Sequence, residues 1–441
     1  MHVVGCGIAG ATLAAALDPK QYEVQLFEAS QEIREQGYGL AIWPSTVKIL
    51  CDELGIDNSA LRKSLSMTVR SVDHKLENKF PAKGQVQQDK GFMKRSTLLQ
   101  NILSKVEERH PACVHTGHRA VRVRFEAGRA HTTYETRDPQ KSLVTHSCDL
   151  LVGSDGVNSV VRRYVALKLD SRQYGCMTAY RFLIHSPSRR LLQQTQDTWN
   201  MSVGESIHSP MYHISNDDES VNVVILEYNG KPPSYPRSAT LSELRNVAER
   251  SNLSLIIQVI DSEEISDLMC YSTFHVDCEP WWQPNAVLIG DAAHAYGPLT
   301  AKMANLAMND AHSLATILNG PNVHDLSQEQ ILNKWQSVQR PKFEVTRIRT
   351  LRHLQLYTPT VRVIVKFLWK FCPQFTLRYF QSIFSYDYEI MTKEGHTQHY
   401  MGIAGIKDAD PLIGYTKKCI YDVAYYIGMI ILILFLFVGF N

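Results

Sequence analysis

The chain opens on His2-Val3-Val4-Gly5-Cys6-Gly7-Ile8-Ala9-Gly10, a short β-branched run that meets three glycines spaced G-x-G-x-x-G. Alanines and leucines follow from Ala11 to Leu17, and Asp18-Pro19 ends them. The pattern predicts a strand, a tight turn and a helix over Ile8 to Leu17. Gly5 permits the turn out of the strand. Gly7 leaves the backbone bare, so a pyrophosphate can approach. Gly10 lets the helix pack closely on the strand. The helix N-terminus then aims unpaired N–H groups and the positive end of its dipole at the phosphates. A second run, Tyr22 to Phe27, ends at Glu28. That is roughly 18 residues past Gly10, where an acid takes a ribose hydroxyl pair. A carboxylate there repels a 2′-phosphate, so the expected dinucleotide is FAD or NAD rather than NADP.

Working outward, 441 residues exceed one ordinary core, and two domains are expected. A hydrophobic content of 44% and a charged content of 20% are those of a folded chain. The net charge is +2, with no basic run interleaved with aromatics, so nucleic acid is not an expected partner. The nine cysteines are scattered and none forms C-x-x-C; they read as reduced thiols, with neither a disulfide framework nor a metal site. The glycine loop begins within a few residues of Met1, so no secretory leader is expected. Near the other end, Val423 to Phe440 reads VAYYIGMIILILFLFVGF without a charge. Lys417 and Lys418 precede it, and Tyr421, Tyr425 and Tyr426 sit at its start. This length is near the minimum for a bilayer span, and the lysine pair favours a cytosolic upstream side. A single-pass anchor over 420–440 is expected, with the upstream domains facing the cytosol from the endoplasmic reticulum.

Between these ends, Ser45 is the expected N-cap of a helix reaching Leu54. Leu98, Leu99, Ile102 and Leu103 have helical spacing, and Arg95 stands at that helix's start, where the dipole disfavours a cation unless an anion lies nearby. Val121 to Thr145 reads as a β-meander. Leu150 to Ser159 reads as buried strand and tight turn, with Asp155-Gly156 in the turn. Residues 170–275 alternate strands with polar loops and form a second, substrate-facing layer. Ala286-Val287-Leu288-Ile289-Gly290-Asp291 is another buried strand, ending in an acid that precedes a helix from about Thr300 to Leu318. A ligand position at a strand's C-terminal end is the general rule of open α/β sheets. Residues 325–384 read as amphipathic helix.

The ordered triple of glycine loop with Glu28, Asp155-Gly156 and Gly290-Asp291 resembles the FAD-dependent aromatic-hydroxylase superfamily. These are the group A flavin monooxygenases, which include salicylate-hydroxylase-like and fungal secondary-metabolite enzymes. The resemblance covers roughly residues 2–385. It implies an α/β fold: a Rossmann-like FAD-binding domain with an inserted mixed β-sheet substrate domain, C-terminal helices and, from the residues above, a C-terminal transmembrane helix. The expected boundaries are 1–168 and 279–320 for the FAD-binding domain, 169–278 for the substrate domain, 321–385 for the helices, 386–419 for a linker and 420–440 for the anchor.

The resemblance also implies a cofactor set. Gly5, Gly7, Gly10 and Glu28 would hold the ADP half of a resident FAD, Arg95 its phosphates, and Ala41 a backbone contact. Asp155 and Gly156 lie near the pyrophosphate and are linked to NAD(P)H docking. Gly290 and Asp291 would meet the ribityl chain, and Ala304 and Asn305 the flavin pyrimidine. Arg181 and Tyr212 are the implied catalytic candidates. Ala301 and Met303 stand where the family usually carries glycines, which crowds the flavin seat. The implied activity is NAD(P)H- and O2-dependent hydroxylation or epoxidation of an apolar aromatic or alkene-bearing small molecule in secondary metabolism. A flavin oxidase or dehydrogenase of the same fold, and a catalytically silent flavoprotein scaffold, are the alternatives. No second G-x-G-x-x-G loop occurs, which fits a nicotinamide that docks transiently.

Overall fold

The computed structural model describes residues 1–33, 38–64, 66–72, 77–81, 91–166, 172–204, 206–216, 219–229 and 237–358, with 361, 363, 365 and 368 beyond them. The chain divides into two compact units, Met1–Glu389 and Ile390–Asn441. The second unit, and with it the anchor expected over 420–440 and most of the expected linker, lies outside the described residues. Among the described residues no helix is long and apolar enough to cross a membrane.

The opening strand His2–Val4 sits inside a six-stranded sheet. Its order is Trp282–Gln283, Ala286–Leu288, Leu151–Gly153, His2–Val4, Gln25–Phe27, Val114–His115, and only the first strand runs antiparallel to its neighbour. Val3 lies opposite Val152 and Leu26, and Val152 opposite Val287. These apolar runs do not alternate because covered parallel strands bury both faces. The three motifs read from the sequence therefore leave the same edge of three adjacent strands.

The helix Ile8–Ala16 is buried along its whole length, which its small side chains allow. It packs in the core with the helices Arg95–Arg109 and Met303–Leu318. Leu17 ends it as C-cap. The second helix differs from expectation. It spans Pro44–Lys48, continues as a π-helical turn over Ile49–Glu53, and has Trp43, not Ser45, at its N-cap. Pro44 is pre-set for the first helical position, which moves the cap two residues back from Ser45 and leaves the Ser45 hydroxyl without a partner. The expected meander forms from His118–Glu126, Arg129–Thr136 and Leu143–Cys148.

The second layer is a nine-stranded sheet built on Arg172–Ile184, Thr198–Val203, Ile207–His213, Val221–Tyr228 and Ser266–Asp277. Two strands from the first segment, Ser66–Ser71 and Glu77–Pro81, extend it, and Ser66–Ser71 pairs in parallel with Thr198–Val203. One face packs with the helices Leu241–Arg250 and Ser254–Ser262 through Phe182, Ile207, Met211 and Val223. A reciprocal Thr240–Glu243 capping box starts the first of these helices. The opposite face looks toward the six-stranded sheet. The long helix Gln328–Gln355 places Leu354 in an apolar cluster with Val224 and Leu226 of that face.

Candidate active site

The glycine loop is built as its spacing demands. Gly5 has φ +99°, and a Cβ there would stand 2.5 Å from the Ser154 carbonyl oxygen. A Cβ on Gly10 would stand 2.2 Å from the Gly5 carbonyl oxygen and 2.5 Å from Ser154 Oγ. Both positions are closed by neighbouring chain. Gly7 is the opposite case: a Cβ would meet nothing within 4 Å. Gly7 is also the N-cap of Ile8–Ala16, and no side chain caps that helix end. Open space, bare backbone and uncapped N–H groups thus coincide, which is the arrangement a pyrophosphate needs.

Glu28 closes the side of this loop. Its Oε2 accepts the Cys6 N–H at 3.0 Å and its Oε1 accepts the Ser30 N–H at 2.9 Å. The two carboxylate oxygens keep lone pairs for a diol. Cys6 is buried, and burial pushes its thiol up to about 12, so it stays protonated.

The other two turns are tied together by Arg162, which donates to Ala292 O at 2.9 Å and to Val157 O at 2.7 Å. Asp155 does not face the cavity. It accepts from Ser159 Oγ and the Val160 N–H, and so closes the loop that follows the turn Gly156–Asn158. Its proximity to the cofactor in the sequence reading becomes a structural role: it shapes the loop whose Val157 lines the cavity. Burial raises its pKa above the ordinary carboxylate value. Gly290, at φ +57°, is wedged between the Cβ atoms of Ala9 and Ala307, each 3.1 Å from where its own Cβ would lie. Asp291 points into the cavity. It is exposed to that space, yet protein crowds it on most sides, and this confinement raises its pKa.

Arg95 begins the helix Arg95–Arg109 as expected. Burial first, and Arg181 second, lower its pKa, whereas Glu28 and Asp291 hold it up. The two arginines and two acids thus share one electrostatic neighbourhood. Ala41, Met303 and Ala304 line the cavity, so the N-terminus of Met303–Leu318 opens on it. Asn305 does not line it. Its Oδ1 accepts the Trp43 N–H at 2.9 Å and its Nδ2 donates to Ala41 O at 2.8 Å, which ties the strand Gly39–Ile42 to the helix. Ala301 lines the cavity with φ +54°, a left-handed conformation that favours glycine. Lys302 is fully buried, with Nζ 2.6 Å from the centre of the Trp43 ring.

The cavity between the two sheets measures about 350 Å³, within the range of small-molecule pockets. Leu40 and Asp291 are among its lining residues. Trp199, Val224, Leu226 and Phe274 give the facing wall an apolar character. Arg181 enters from that wall. Its guanidinium lies 4.8 Å from the Tyr38 ring centre and 5.8 Å from that of Tyr271, and its Nε is buried without a hydrogen-bond partner. Tyr38 is itself fixed by donating to Asp267 O at 3.0 Å. Tyr212 also lines the cavity, but its hydroxyl donates to Gly39 O at 2.8 Å and its ring stacks on Phe92 at 4.1 Å. Burial pushes that hydroxyl up to about 12. The Tyr212 hydroxyl is thereby committed to the strand Gly39–Ile42.

The sequence reading brought Gly5, Gly7, Gly10, Glu28, Arg95, Asp291 and Arg181 to one region, and it missed Trp199, His208, Tyr38 and Tyr271. The signal for one of these, His208, existed. Within Ile207–His213 the residues 208, 210 and 212 share a face, so choosing Tyr212 selects His208 and Pro210 as well. The donor set fits FAD on observations of this fold: the open Gly7 cradle, the uncapped helix end and the acid beside it.

Comparisons with known proteins agree. A family model described as an FAD binding domain matches residues 1–335. The FAD-dependent monooxygenase terM of Tolypocladium album is 25% identical over 353 residues, covering 73% of this chain and 70% of that protein. Salicylate hydroxylase of Pseudomonas putida is 24% identical over 373 residues, covering 77% and 82%. Among solved structures, Klebsiella pneumoniae HpxO complexed with FAD and uric acid aligns with a TM-score of 0.67 at 18% identity, over 89% of this chain and 95% of that one. That likeness is one of fold.

Proposed function

The chain belongs to the FAD-binding-domain family and the FAD-dependent aromatic-hydroxylase superfamily, and from that premise we propose that it is a monooxygenase that uses NAD(P)H and O2 to hydroxylate or epoxidise an apolar aromatic or alkene-bearing small molecule. One observation carries the reading. Three turns leave adjacent parallel strands side by side; two of them, through Val157 and Asp291, line a largely apolar cavity that one strand-borne arginine, Arg181, enters from the opposite sheet.

When bound, FAD supplies the electron transfer from the nicotinamide and the activation of O2. The chain's own residues bind, orient and exclude water. Gly7 and the helix start Ile8–Ala16 receive the pyrophosphate, with Glu28 on the ribose diol and Arg95 on phosphate charge. Asp291 takes hydroxyls of the ribityl chain. The N-terminus at Met303 and Ala304 stabilises negative charge on the ring beside it. Trp199, Val224, Leu226 and Phe274 keep the substrate side dry. Arg181, steadied by the faces of Tyr38 and Tyr271, donates hydrogen bonds to oxygen on the reacting side.

The membrane anchor over 420–440 belongs to this proposal. The uncharged run from Val423 to Phe440 supports it, as does the apolar character of the cavity, since a substrate that partitions into lipid is best met at a membrane. A cytosol-facing catalytic domain, at the endoplasmic reticulum, then keeps access to NAD(P)H. The relatives named as monooxygenases of fungi support a role in secondary metabolism.

Purified protein supplied with labelled O2, NADPH and a panel of terpenoid and polyketide aromatics is expected to place one labelled oxygen in a product. NADPH consumption with label only in water or hydrogen peroxide would identify an oxidase instead. Deleting residues 420–441 is expected to release the protein from membranes; retention in the pellet would remove the anchor from the reading.

A further inference from the structure

Beneath the Gly290–Ala292 turn lies a buried acid–base pair that the proposed chemistry does not use. Asp310 sits in the third turn of Met303–Leu318, and its Oδ2 accepts the Gly290 N–H at 3.0 Å. The same oxygen lies 2.7 Å from His294 Nε2. The two side chains are 0% and 1% exposed. The His294 ring stacks on Phe343 at 4.6 Å and tilts against Trp281 at 4.8 Å. The Asp310 main-chain carbonyl accepts Trp335 Nε1–H at 3.1 Å. His294 Nδ1 and Asp310 Oδ1 have no hydrogen-bond partner. With a carboxylate facing it, Nε2 is the ring nitrogen that carries the proton.

What Asp310 joins is informative. Its helix begins at Met303, and the first turn of that helix lines the cavity. The turn it grips carries Asp291, whose side chain lines the same cavity. Gly290 itself is wedged between Ala9 and Ala307, so the turn has no room to drift independently. We propose that Asp310 and His294 are a positioning pair that locks the Asp291 turn to the helix N-terminus, and so sets the affinity and the electrostatic surroundings of the flavin. The pair rests on the FAD reading above. His294 orients the carboxylate, and the carboxylate fixes the spacing of the two groups that meet the cofactor from different chain segments.

The test uses the full chain, stripped of flavin and titrated with FAD, with the quench of FAD fluorescence as the affinity readout. Asp310→Ala is expected to weaken FAD binding by about tenfold or more, the loss of one buried charge-assisted hydrogen bond. Asp310→Asn and His294→Phe are expected to weaken it by roughly threefold to tenfold. In both, the flavin-free melting temperature should stay near wild type, while the midpoint potential and visible circular dichroism of bound FAD shift. His294→Gln, which keeps a donor, is expected to restore affinity to within about threefold of wild type. Wild-type affinity, potential and dichroism in both Asp310→Asn and His294→Phe would overturn the pair. So would loss of FAD that merely tracks loss of flavin-free melting temperature across all four variants. A wild-type chain that takes up no FAD would instead refute the cofactor reading on which the pair rests.

Discussion

The glycine cradle on the six-stranded sheet and the cavity wall on the nine-stranded sheet are specified in different ways. In the cradle the working groups are backbone N–H groups, missing side chains and helix ends. Each is set by residues a few positions away: Gly7 leaves the space, Gly5 and Gly10 close the turn around it, and the helix follows. In the wall the working groups are side chains from four strands, Arg181, Trp199, His208 and Tyr271, brought together only by sheet register. Register around Arg181 is irregular: pairing with Ser266–Asp277 shifts between Tyr174 and Thr178 and again between Arg181 and Leu183. A one-residue slip turns a side chain to the other face, so such irregularities decide what the cavity presents. A cradle built from backbone tolerates no change of shape, whereas a wall built from side chains can be rewritten one residue at a time.

The largest expected effect breaks the cradle at its closed positions. Gly10→Val drives a branched side chain into Gly5 O and Ser154, and should cost several kcal/mol, on the order of 3 or more, with loss of soluble protein and of FAD. Gly7→Ala sharpens the same point from the open side. Its methyl meets nothing, so flavin-free melting should stay within about 2 °C of wild type, while FAD affinity falls by at least roughly tenfold as the pyrophosphate loses its approach. Equal damage to folding by both substitutions would contradict the division of labour among the glycines.

Across the cavity, Arg181→Met should leave FAD content unchanged and lower product formation by about a hundredfold, a size typical of removing one preorganised donor. Arg181→Lys should recover only part of it, because a point charge does not reproduce an oriented fork. Product yield per NADPH consumed is the quantity to follow.

The next effect concerns pH. His208 is fully buried in the wall, and burial lowers its pKa to about 3 from an ordinary value near 6.5. Between those values the unfolded chain binds the proton and the folded chain does not. Stability from this group is therefore complete at neutral pH and is lost as pH falls through 6.5 toward 3. Going from pH 7 to pH 5 should remove about 2 kcal/mol through His208 alone. Urea midpoints at the two pH values should draw closer in His208→Asn than in wild type. A wild-type-sized pH dependence in the variant would show that the burial penalty lies elsewhere.

The smallest effect is at Ala301. Glycine relieves its left-handed φ of +54°, so Ala301→Gly should stabilise the flavin-free protein by about 0.5 kcal/mol, offset in part by the freer unfolded chain. Thermal melting resolves this.

Legibility followed the same division. The fold class and the three turns could be read because glycine spacing and uninterrupted apolar runs are local signals. Arg95 stood out because a cation at a helix start contradicts the dipole. Asp155, Asn305 and Tyr212 stand in the expected neighbourhood with side-chain atoms committed to the protein itself. Each has a polar group committed to a nearby backbone partner, and nothing in the spacing of an Asp, an Asn or a Tyr says whether its polar atoms are already taken. The Ser45 cap failed because proline at the preceding position takes the first helical place and moves the boundary to Trp43. Trp199 and Tyr271 could not be read at all, since their meeting depends on bulged pairings between segments about seventy residues apart.

The parallel pairing of Ser66–Ser71 with Thr198–Val203 and that of Leu151–Gly153 with Ala286–Leu288 have a consequence for biogenesis. As the chain leaves the ribosome, each layer waits for a strand made more than a hundred residues later, so neither can close early in synthesis. Folding should be slow and should depend on protection of unpaired strand edges during synthesis. For the same reason, cuts at 169 and 278 would not lift out a transplantable module. A chimera that exchanges the substrate wall must carry residues 66–81 with it.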